Sequence, residues 1–139
     1  ISPITDLTTG QFQEIIDDPN SSDPKQIKKV LCCTGKIYYE LLAEQAKGHS
    51  DTAIVRFEQL YPIAENQLTM LHKKYNKASF YWVQEEPENM GAWQFILSQL
   101  RSWNFTVIAR EASASPSTGN SKIFQKIQQD LIQTAFKQK

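Results

Sequence analysis

The sequence predicts an α/β domain built on a mostly parallel sheet. Short apolar runs alternate four times with stripes of apolar residues at helical spacing, which is typical of strands joined by right-handed crossover helices. The apolar runs are short and continuous, as in strands that are covered on both faces of a sheet. The chain has 139 residues, of which 40% are hydrophobic, so it can form the core of one domain.

The N-terminal part is the least regular. Partial alternation of apolar residues predicts a short strand between Thr9 and Ile16. Residues 17–24 are dense in Asp, Asn, Ser and Pro, which predicts a loop. We therefore divide the chain into an N-terminal segment, residues 1–26, with an edge strand and a loop, and an α/β domain, residues 27–139.

The first strand and helix of this domain are predicted between residues 30 and 48. Val30–Cys33 is a buried strand that ends at the Thr34–Gly35 turn, and the helix after it ends at Gly48. The apolar residues of that helix are Tyr38, Leu41, Leu42 and Ala46.

The second strand is predicted at Thr52–Phe57, which is rich in β-branched residues. Pro62 is predicted to begin the next helix, because proline is favoured in the first turn. The apolar face of this helix consists of Leu68, Leu71 and Tyr75.

The last two strands are predicted at Ser79–Val83 and Phe105–Ile108. A loop of small residues, 112–119, then leads to a terminal helix with Ser121 as its N-cap. The helix between the two strands has the apolar stripe Trp93, Ile96, Leu97 and Leu100. The terminal helix has the stripe Phe124, Ile127, Leu131 and Ala135.

Charge and hydropathy exclude several classes of protein. The chain has 15 Lys+Arg and 15 Asp+Glu, and this zero net charge argues against a nucleic-acid-binding protein that relies on bulk positive charge. No apolar run approaches 18 residues, so we expect no membrane partner. The chain starts with Ile-Ser-Pro rather than Met, and we expect it to be a domain cut from a longer protein.

Cysteine and histidine usage points to an intracellular protein without a metal site of its own. Cys32 and Cys33 are adjacent, which does not fit a framework of disulfides, and we interpret them as core residues. His49 and His72 are 23 residues apart and belong to no metal-type cluster.

The turns after the strands are the candidate sites, because ligands of parallel sheets bind beyond the carboxyl ends of the strands. The Thr34-Gly35-Lys36 turn lacks the further glycine of a phosphate loop, and we interpret it as a tight turn capped by Thr34. Arg56 and Glu58 share one strand face and form either a surface ion pair or an interface or ligand contact.

Two later segments offer further polar side chains. Glu85 and Glu86 are expected just before a helix, whose positive N-terminal end would stabilise their charge, and the alternative is a polar docking surface. Residues 112–121 are either an ordinary connection or a tail that folds onto a neighbouring subunit. None of these residues forms a catalytic set, which is typical of a regulatory or assembly domain of a larger enzyme.

Four strings identify a family. "KVLCCTGKIYYELL", "AIVRFEQLYP", "WVQEEPENMGAW" and "ASASPSTGNSK", in this order, closely resemble the C-terminal domain of the 2-oxoglutarate dehydrogenases, the thiamine-dependent decarboxylating components. The resemblance extends from about Thr9 to Phe136. It implies a transketolase C-terminal-domain-like fold, with a small mixed, mainly parallel sheet and helices on both faces.

The resemblance also implies an activity for the longer protein. That protein would be a homodimer that binds thiamine diphosphate and magnesium, mostly through domains outside this chain, with no cofactor bound by this domain alone. It would decarboxylate 2-oxoglutarate and pass the succinyl group to a lipoyl arm of the succinyltransferase, and the cofactor performs the chemistry. We assign no catalytic residue, and we expect a bacterial cytoplasmic or, in a eukaryote, a mitochondrial matrix location, with the cytoplasm preferred.

By the same resemblance, the segments Arg56–Pro62 and Glu85–Gly91 face a partner subunit. The candidate interface or allosteric residues are Arg56, Gln59, Glu85, Glu86, Asn89 and Lys122. The family usually has Lys-x-His after the small-residue loop, but this chain has Phe124 where that histidine would be.

The resemblance also implies regulation, since some members of the family bind acetyl-CoA or a nucleotide as an allosteric effector near this domain. In actinobacterial relatives, basic residues align with Gln11, Asn66 and Gln67, and a serine aligns with Glu14, so that only Gln59 keeps the matching type. The loss of positive charge weakens a grip on phosphates. We therefore expect a weak response to acetyl-CoA, or none.

Two alternatives to this function are kept. One is a related dehydrogenase of the 2-oxoadipate type, since the substrate would be selected outside this chain. The other is a stand-alone α/β module that binds a nucleotide or a protein. A severed domain differs from such a module in exposing the apolar patch that met its neighbours.

Overall fold

One five-stranded sheet organises the chain. In the computed structural model, which describes residue 4 and residues 8–21 and 23–137, the strand order is β1-β3-β2-β4-β5. The neighbours from β3 to β5 are parallel, whereas β1 pairs with β3 in the antiparallel direction. The predicted mixed, mainly parallel sheet is therefore confirmed. The strands are β1 (Ile15–Ile16), β2 (Lys29–Cys33), β3 (Thr52–Phe57), β4 (Ser79–Pro87) and β5 (Thr106–Arg110).

Helices cover both faces of the sheet. Helices α2 and α3 contribute to one apolar core, and helices α1 and α4 contribute to the other. The helices are α1 (Ile37–Gln45), α2 (Glu65–Lys74), α3 (Trp93–Gln99) and α4 (Ser121–Phe136), with short 3₁₀ turns at Pro24–Gln26 and Arg101–Trp103.

Strand β2 separates the two cores by simple alternation. Val30 and Cys32 point into the α2–α3 core, while Leu31 and Cys33 point into the α1–α4 core, and all four are fully buried. Burial raises the pKa of the Cys33 thiol to about 12, so this cysteine is a neutral core residue. The interpretation of both cysteines as packing residues is confirmed.

The N-terminal segment has its strand at the sheet edge, but the strand is shorter than the predicted range. Only Ile15 and Ile16 pair with β3, and Ile15 is buried in the α2–α3 core. The Asp18 carboxylate then accepts a hydrogen bond of 2.9 Å from Ile54 N–H of β3 and another from the Gln45 amide. The Asp18 side chain thus accepts a β3 N–H group that would otherwise need a neighbouring strand. The N-terminal segment therefore stays attached to β3 beyond the end of β1. The division of the chain at residue 27 remains a prediction.

Three predictions of helix starts are wrong in detail. Helix α2 begins at Glu65, and Pro62 lies before it, after a cis peptide bond. Helix α4 is capped by Asn120, whose Oδ1 accepts hydrogen bonds from two N–H groups of the first turn, and not by Ser121. Thr34 does not cap α1, since Lys36 occupies the N-cap position and makes no capping hydrogen bond with its side chain.

One member of the predicted α3 stripe does not face the core. Leu97 is 42% exposed, while Trp93, Ile96 and Leu100 are buried in the α2–α3 core. Helix α3 is only seven residues long, so its buried face is narrow. Residues 93, 96 and 100 fill this face, and Leu97 is left at the surface.

Candidate interface at the carboxyl edge of the sheet

The turns that follow the central strands meet at one edge of the sheet. Strands β3, β2 and β4 are adjacent and parallel, so their carboxyl ends lie side by side. This edge brings together the end of β3 with Arg56 and Gln59, the turn with Lys36 after β2, and the end of β4 with Glu85. We call it the carboxyl edge.

Arg56 is held by aromatic rings and a carboxylate. Its guanidinium carbon lies 4.5 Å from the ring centroid of Tyr38 and 5.8 Å from that of Tyr39. Arg56 Nε lies 2.6 Å from Glu58 Oε1, so the expected ion pair is present, although this N–H is not aligned as a hydrogen bond. The Arg56 side chain is only 14% exposed, and the positive charge is therefore fixed in place at the edge rather than mobile in solvent.

Glu85 is placed differently from the prediction. Glu85 and Glu86 lie within β4, which continues to Pro87, and not in a loop before a helix. The expectation that a helix N-terminus stabilises their charge is therefore wrong. Lys36 Nζ stabilises the charge of Glu85 instead, at 2.8 Å from Glu85 Oε2. This hydrogen bond is the main cause that raises the Lys36 pKa.

Gln84 connects the carboxyl end of β4 to the turn that follows it. This buried amide donates to the carbonyl oxygens of Pro87 at 3.0 Å and Met90 at 2.7 Å. Its Oε1 accepts hydrogen bonds from Trp82 Nε1 at 3.1 Å and from Trp93 N–H at 2.9 Å. One side chain thus satisfies the backbone of the turn after β4 and the start of α3, in a region where the pairing with β5 is irregular.

Asn89 connects this turn to the small-residue loop. Its Nδ2 donates to Ser113 O at 3.0 Å, and its Oδ1 accepts from Ser113 N–H at 3.0 Å. Arg110 also donates to Pro116 O at 3.0 Å. The loop is therefore attached to the carboxyl edge, and it leads to Lys122, an exposed residue in the first turn of α4.

A glycine is needed at position 91 because the chain there lies close to the side chains of Gln84 and Glu86. Its φ is +66°, and a Cβ there would lie 3.1 Å from Gln84 Nε2 and 3.1 Å from Glu86 Cβ. We expect Gly91→Ala to lower the free energy of unfolding by about 2 kcal/mol, measured by urea denaturation, because strain in the left-handed region and a steric contact add.

A matched variant separates the two causes. Gly119 has the same φ of +66°, but a Cβ there would meet no atom within 4 Å. Gly119→Ala therefore reports the backbone cost alone and should lower stability less. Equal losses for the two variants would show that the contact with Gln84 and Glu86 is unimportant.

A second polar cluster joins the N-terminal segment to α2. Gln67 Nε2 donates to Glu14 Oε2 at 2.7 Å, and the N–H groups of Glu58 and Gln59 donate to Glu14 O at 2.9 Å and 3.1 Å. Two hydrogen bonds lower the pKa of the Glu14 carboxyl. The larger effect comes from the backbone of Glu14 itself, and the smaller one comes from the Gln67 side chain. Glu14, Gln59 and Gln67, three of the positions that the resemblance associates with an effector, therefore lie together, and one of them is a carboxylate.

Three residues of the carboxyl edge are not predicted from the sequence. The sequence indicates only a tight turn at Lys36 and gives no signal for Gln84 or Gln128. Gln128 Nε2, from α4, lies 3.1 Å from Glu40 Oε2 and 3.4 Å from Glu85 Oε2. The parallel strand order could have placed Lys36 beside Glu85, but no sequence spacing connects residue 128 with residue 85.

The described residues contain neither a metal-type cluster nor a membrane-spanning helix. Among residues 8–21 and 23–137, no three His, Cys, Asp or Glu side chains come together as a metal-binding group. None of the helices in the described part of the chain has the length and apolar character needed to cross a membrane.

Comparisons with known proteins agree with one another. Residues 1–136 match the family described as 2-oxoglutarate dehydrogenase C-terminal. The 2-oxoglutarate dehydrogenase E1 component of Rickettsia felis is 41% identical over 134 residues, which cover 90% of this chain and 14% of that protein. The component of the same name from Azotobacter vinelandii is 39% identical over 146 residues, covering 98% of this chain and 16% of that protein. The chain thus spans only about one seventh of the length of such relatives.

Proposed function

Because this chain belongs to the 2-oxoglutarate dehydrogenase C-terminal family, we propose that it is the C-terminal domain of a 2-oxoglutarate dehydrogenase E1 component. The family match across residues 1–136 carries this proposal. The longer protein decarboxylates 2-oxoglutarate with thiamine diphosphate and magnesium, and it transfers the succinyl group to the lipoyl arm of a succinyltransferase. It acts in the bacterial cytoplasm.

The cofactor is held by other parts of the longer protein. The described residues of this chain provide no group of three metal-ligating side chains. The turn after β2 has a single glycine, Gly35, and lacks the glycine-rich length that wraps phosphates. These residues therefore do not fit thiamine diphosphate with its metal, and no catalytic step is assigned to them.

The direct test compares the longer protein with this chain. Each is supplied with 2-oxoglutarate, thiamine diphosphate, magnesium and an artificial electron acceptor, and acceptor reduction is followed. We expect turnover by the longer protein and none by residues 1–139 alone. Activity of the longer protein with 2-oxoadipate but not 2-oxoglutarate would favour the alternative dehydrogenase, and inactivity with both acids would favour a binding module.

The domain's own role is to support assembly of a homodimer through the carboxyl edge. Arg56 and Glu85 are held there by fixed partners. Gln59 follows β3, Glu86 lies in β4, and Asn89 connects the turn after β4 to the loop that leads to Lys122. Beside these polar groups, the Tyr61 ring is 79% exposed and contacts Phe95 with a centroid distance of 6.4 Å. A large exposed aromatic residue next to fixed charges is typical of an interface anchor.

The dimer proposal predicts a weaker association for Tyr61→Arg. In the longer protein, this change should raise the dimer dissociation constant by about tenfold or more, measured by sedimentation, because an apolar anchor is replaced by a charge. Met70→Arg is the control, since Met70 is also exposed, at 69%, but lies within α2 and not in a turn that follows a strand. An unchanged dissociation constant for Tyr61→Arg would contradict the assigned interface.

The response of the longer protein to acetyl-CoA is expected to be weak or absent. The charged Glu14 carboxylate lies 2.7 Å from the Gln67 amide, where a phosphate-binding site would need positive charge. Added acetyl-CoA should therefore change the rate of the longer protein little or not at all in the acceptor assay. A clear rise in rate would contradict this expectation, and Glu14→Ser would then show whether the carboxylate affects the response.

A further inference from the structure

Arg56 at the carboxyl edge has hydrogen-bond donors that the described residues do not use. Three contacts hold its guanidinium group. The Tyr38 ring centroid lies 4.5 Å from the guanidinium carbon, Glu58 Oε1 lies 2.6 Å from Nε, and Nη1 donates to the Tyr39 hydroxyl at 3.3 Å. The remaining nitrogen, Nη2, makes no hydrogen bond with residue 4 or with residues 8–21 and 23–137. The two N–H groups of Nη2 are therefore left for an acceptor from elsewhere.

Nη2 is the part of this side chain that is open to solvent. Within the described part of the chain, the Arg56 atom that is both buried and without a hydrogen bond is Nε, and Nη2 is not such an atom. Since Nη2 also lacks a hydrogen bond there, it must keep accessible surface. The side chain as a whole is only 14% exposed, so most of the guanidinium is covered and its open end is fixed. A donor that is already fixed loses little side-chain entropy when it binds.

The charges around Arg56 favour a neutral acceptor. Glu58 already balances the Arg56 charge, at 2.6 Å from Nε. A second carboxylate would place two negative charges against one positive charge, and it would also have to lose its own water. A backbone carbonyl oxygen accepts a hydrogen bond without adding a charge. Its bond with a guanidinium is still stronger than a hydrogen bond between neutral groups, because the donor is charged.

We propose that Arg56 Nη2 donates a hydrogen bond to a backbone carbonyl oxygen of the second copy in the homodimer, and that Tyr39 is a positioning residue for Arg56. This inference rests on the proposed function, because it needs the interface at the carboxyl edge. Tyr61, the exposed aromatic residue of that interface, is only five residues from Arg56 along the chain. The interface thus combines an apolar anchor with one oriented donor.

The test measures the dimer dissociation constant of the longer protein by sedimentation. Arg56→Lys keeps the positive charge but removes Nη2, and it should raise the constant by about tenfold, since a charge-assisted hydrogen bond is lost. Tyr39→Phe keeps the ring and removes the hydroxyl that holds Nη1, so we expect a smaller rise, of about threefold. Arg101→Lys, an exposed change in the 3₁₀ turn before β5, is the matched control and should leave the constant unchanged.

Stability is measured in parallel, because Arg56 is mostly covered and its replacement could disturb folding. Urea denaturation of the 139-residue variants shows whether Arg56→Lys unfolds more easily than the unchanged chain. If it does, Tyr39→Phe decides the proposal, since Tyr39 is 40% exposed and its hydroxyl can be removed without leaving a cavity. An unchanged dissociation constant for a stable Arg56→Lys, or for Tyr39→Phe in its place, overturns the proposal.

Two further variants distinguish the acceptor and the interface. Glu58→Gln removes the charge that balances Arg56, and with a carbonyl acceptor it should not strengthen the dimer. A tighter dimer would mean that the partner presents a carboxylate, which overturns the carbonyl assignment. If Tyr61→Arg weakens the dimer but Arg56→Lys does not, the proposed interface stands and this inference fails. If neither variant weakens it, both fail.

Discussion

Replacing Asp18 with alanine should lower the free energy of unfolding of this chain by about 3 kcal/mol, measured by urea denaturation. The buried carboxylate accepts hydrogen bonds from Ile54 N–H and from Gln45 Nε2 through Oδ2, and from Asn20 N–H through Oδ1. The variant leaves the N–H of Ile54, inside β3, without an acceptor. A buried donor that loses its partner costs more than an average hydrogen bond contributes.

The control for this prediction is Asp130→Ala. Asp130 is exposed on α4, so the same change of residue type should alter stability by no more than about 0.5 kcal/mol. Asp18→Asn adds a second comparison, because it keeps one acceptor oxygen but places an amide nitrogen opposite donor groups. A loss below about 1 kcal/mol for Asp18→Ala would mean that the N-terminal segment is attached mainly by Ile15 and not by this carboxylate.

Replacing Gln84 with leucine should have an effect of similar or larger size, about 4 kcal/mol. Leucine has nearly the same volume, so the change leaves no large cavity and reports the hydrogen bonds. The carbonyl oxygen of Met90 loses its donor, and that of Pro87 keeps only the bond from Met90 N–H at 2.8 Å. The indole N–H of Trp82 and the backbone N–H of Trp93 lose their acceptor.

A second measurement distinguishes a local from a global effect. Hydrogen exchange should show reduced protection at Trp93 N–H and in residues 86–91, because Gln84 holds that turn. Gln94→Leu, an exposed glutamine-to-leucine change on α3, is the matched control and should leave both stability and protection nearly unchanged. Normal protection of Trp93 N–H in Gln84→Leu would show that another acceptor replaces the amide.

The candidate site was predicted in part. Arg56 lies in β3 and Glu58 is the first residue after it, so their ion pair follows from the two-residue spacing of an extended chain. Glu85 is a different case, because its role depends on how far β4 extends. The sequence after Val83 is polar and contains Pro87, which predicts a loop, whereas the structure continues the strand because Pro87 pairs with Arg110 beyond a bulge.

The prediction of helix starts was limited in a similar way, because local preferences allow more than one first residue. Ser121 and Asn120 are both good N-cap residues, and only the backbone conformation selects Asn120. Pro62 is a good first residue of a helix, yet the chain turns at that point and α2 begins at Glu65. Local preference identifies a boundary to within a few residues, and contacts with the rest of the chain select among them.

The amino-acid sequence by itself determined the succession of strands and helices along the chain and the burial of β2 on both faces. Through the four matching strings, it also determined the family. These follow from local periodicity and from residue identity, which need no knowledge of distant contacts. The tertiary structure decided which polar side chains act together: Asp18 with Ile54, Gln84 with Trp93, and Lys36 with Glu85. The physical reason is that a buried hydrogen bond or ion pair depends on a fit of about an ångström between segments that only the packed sheet brings together.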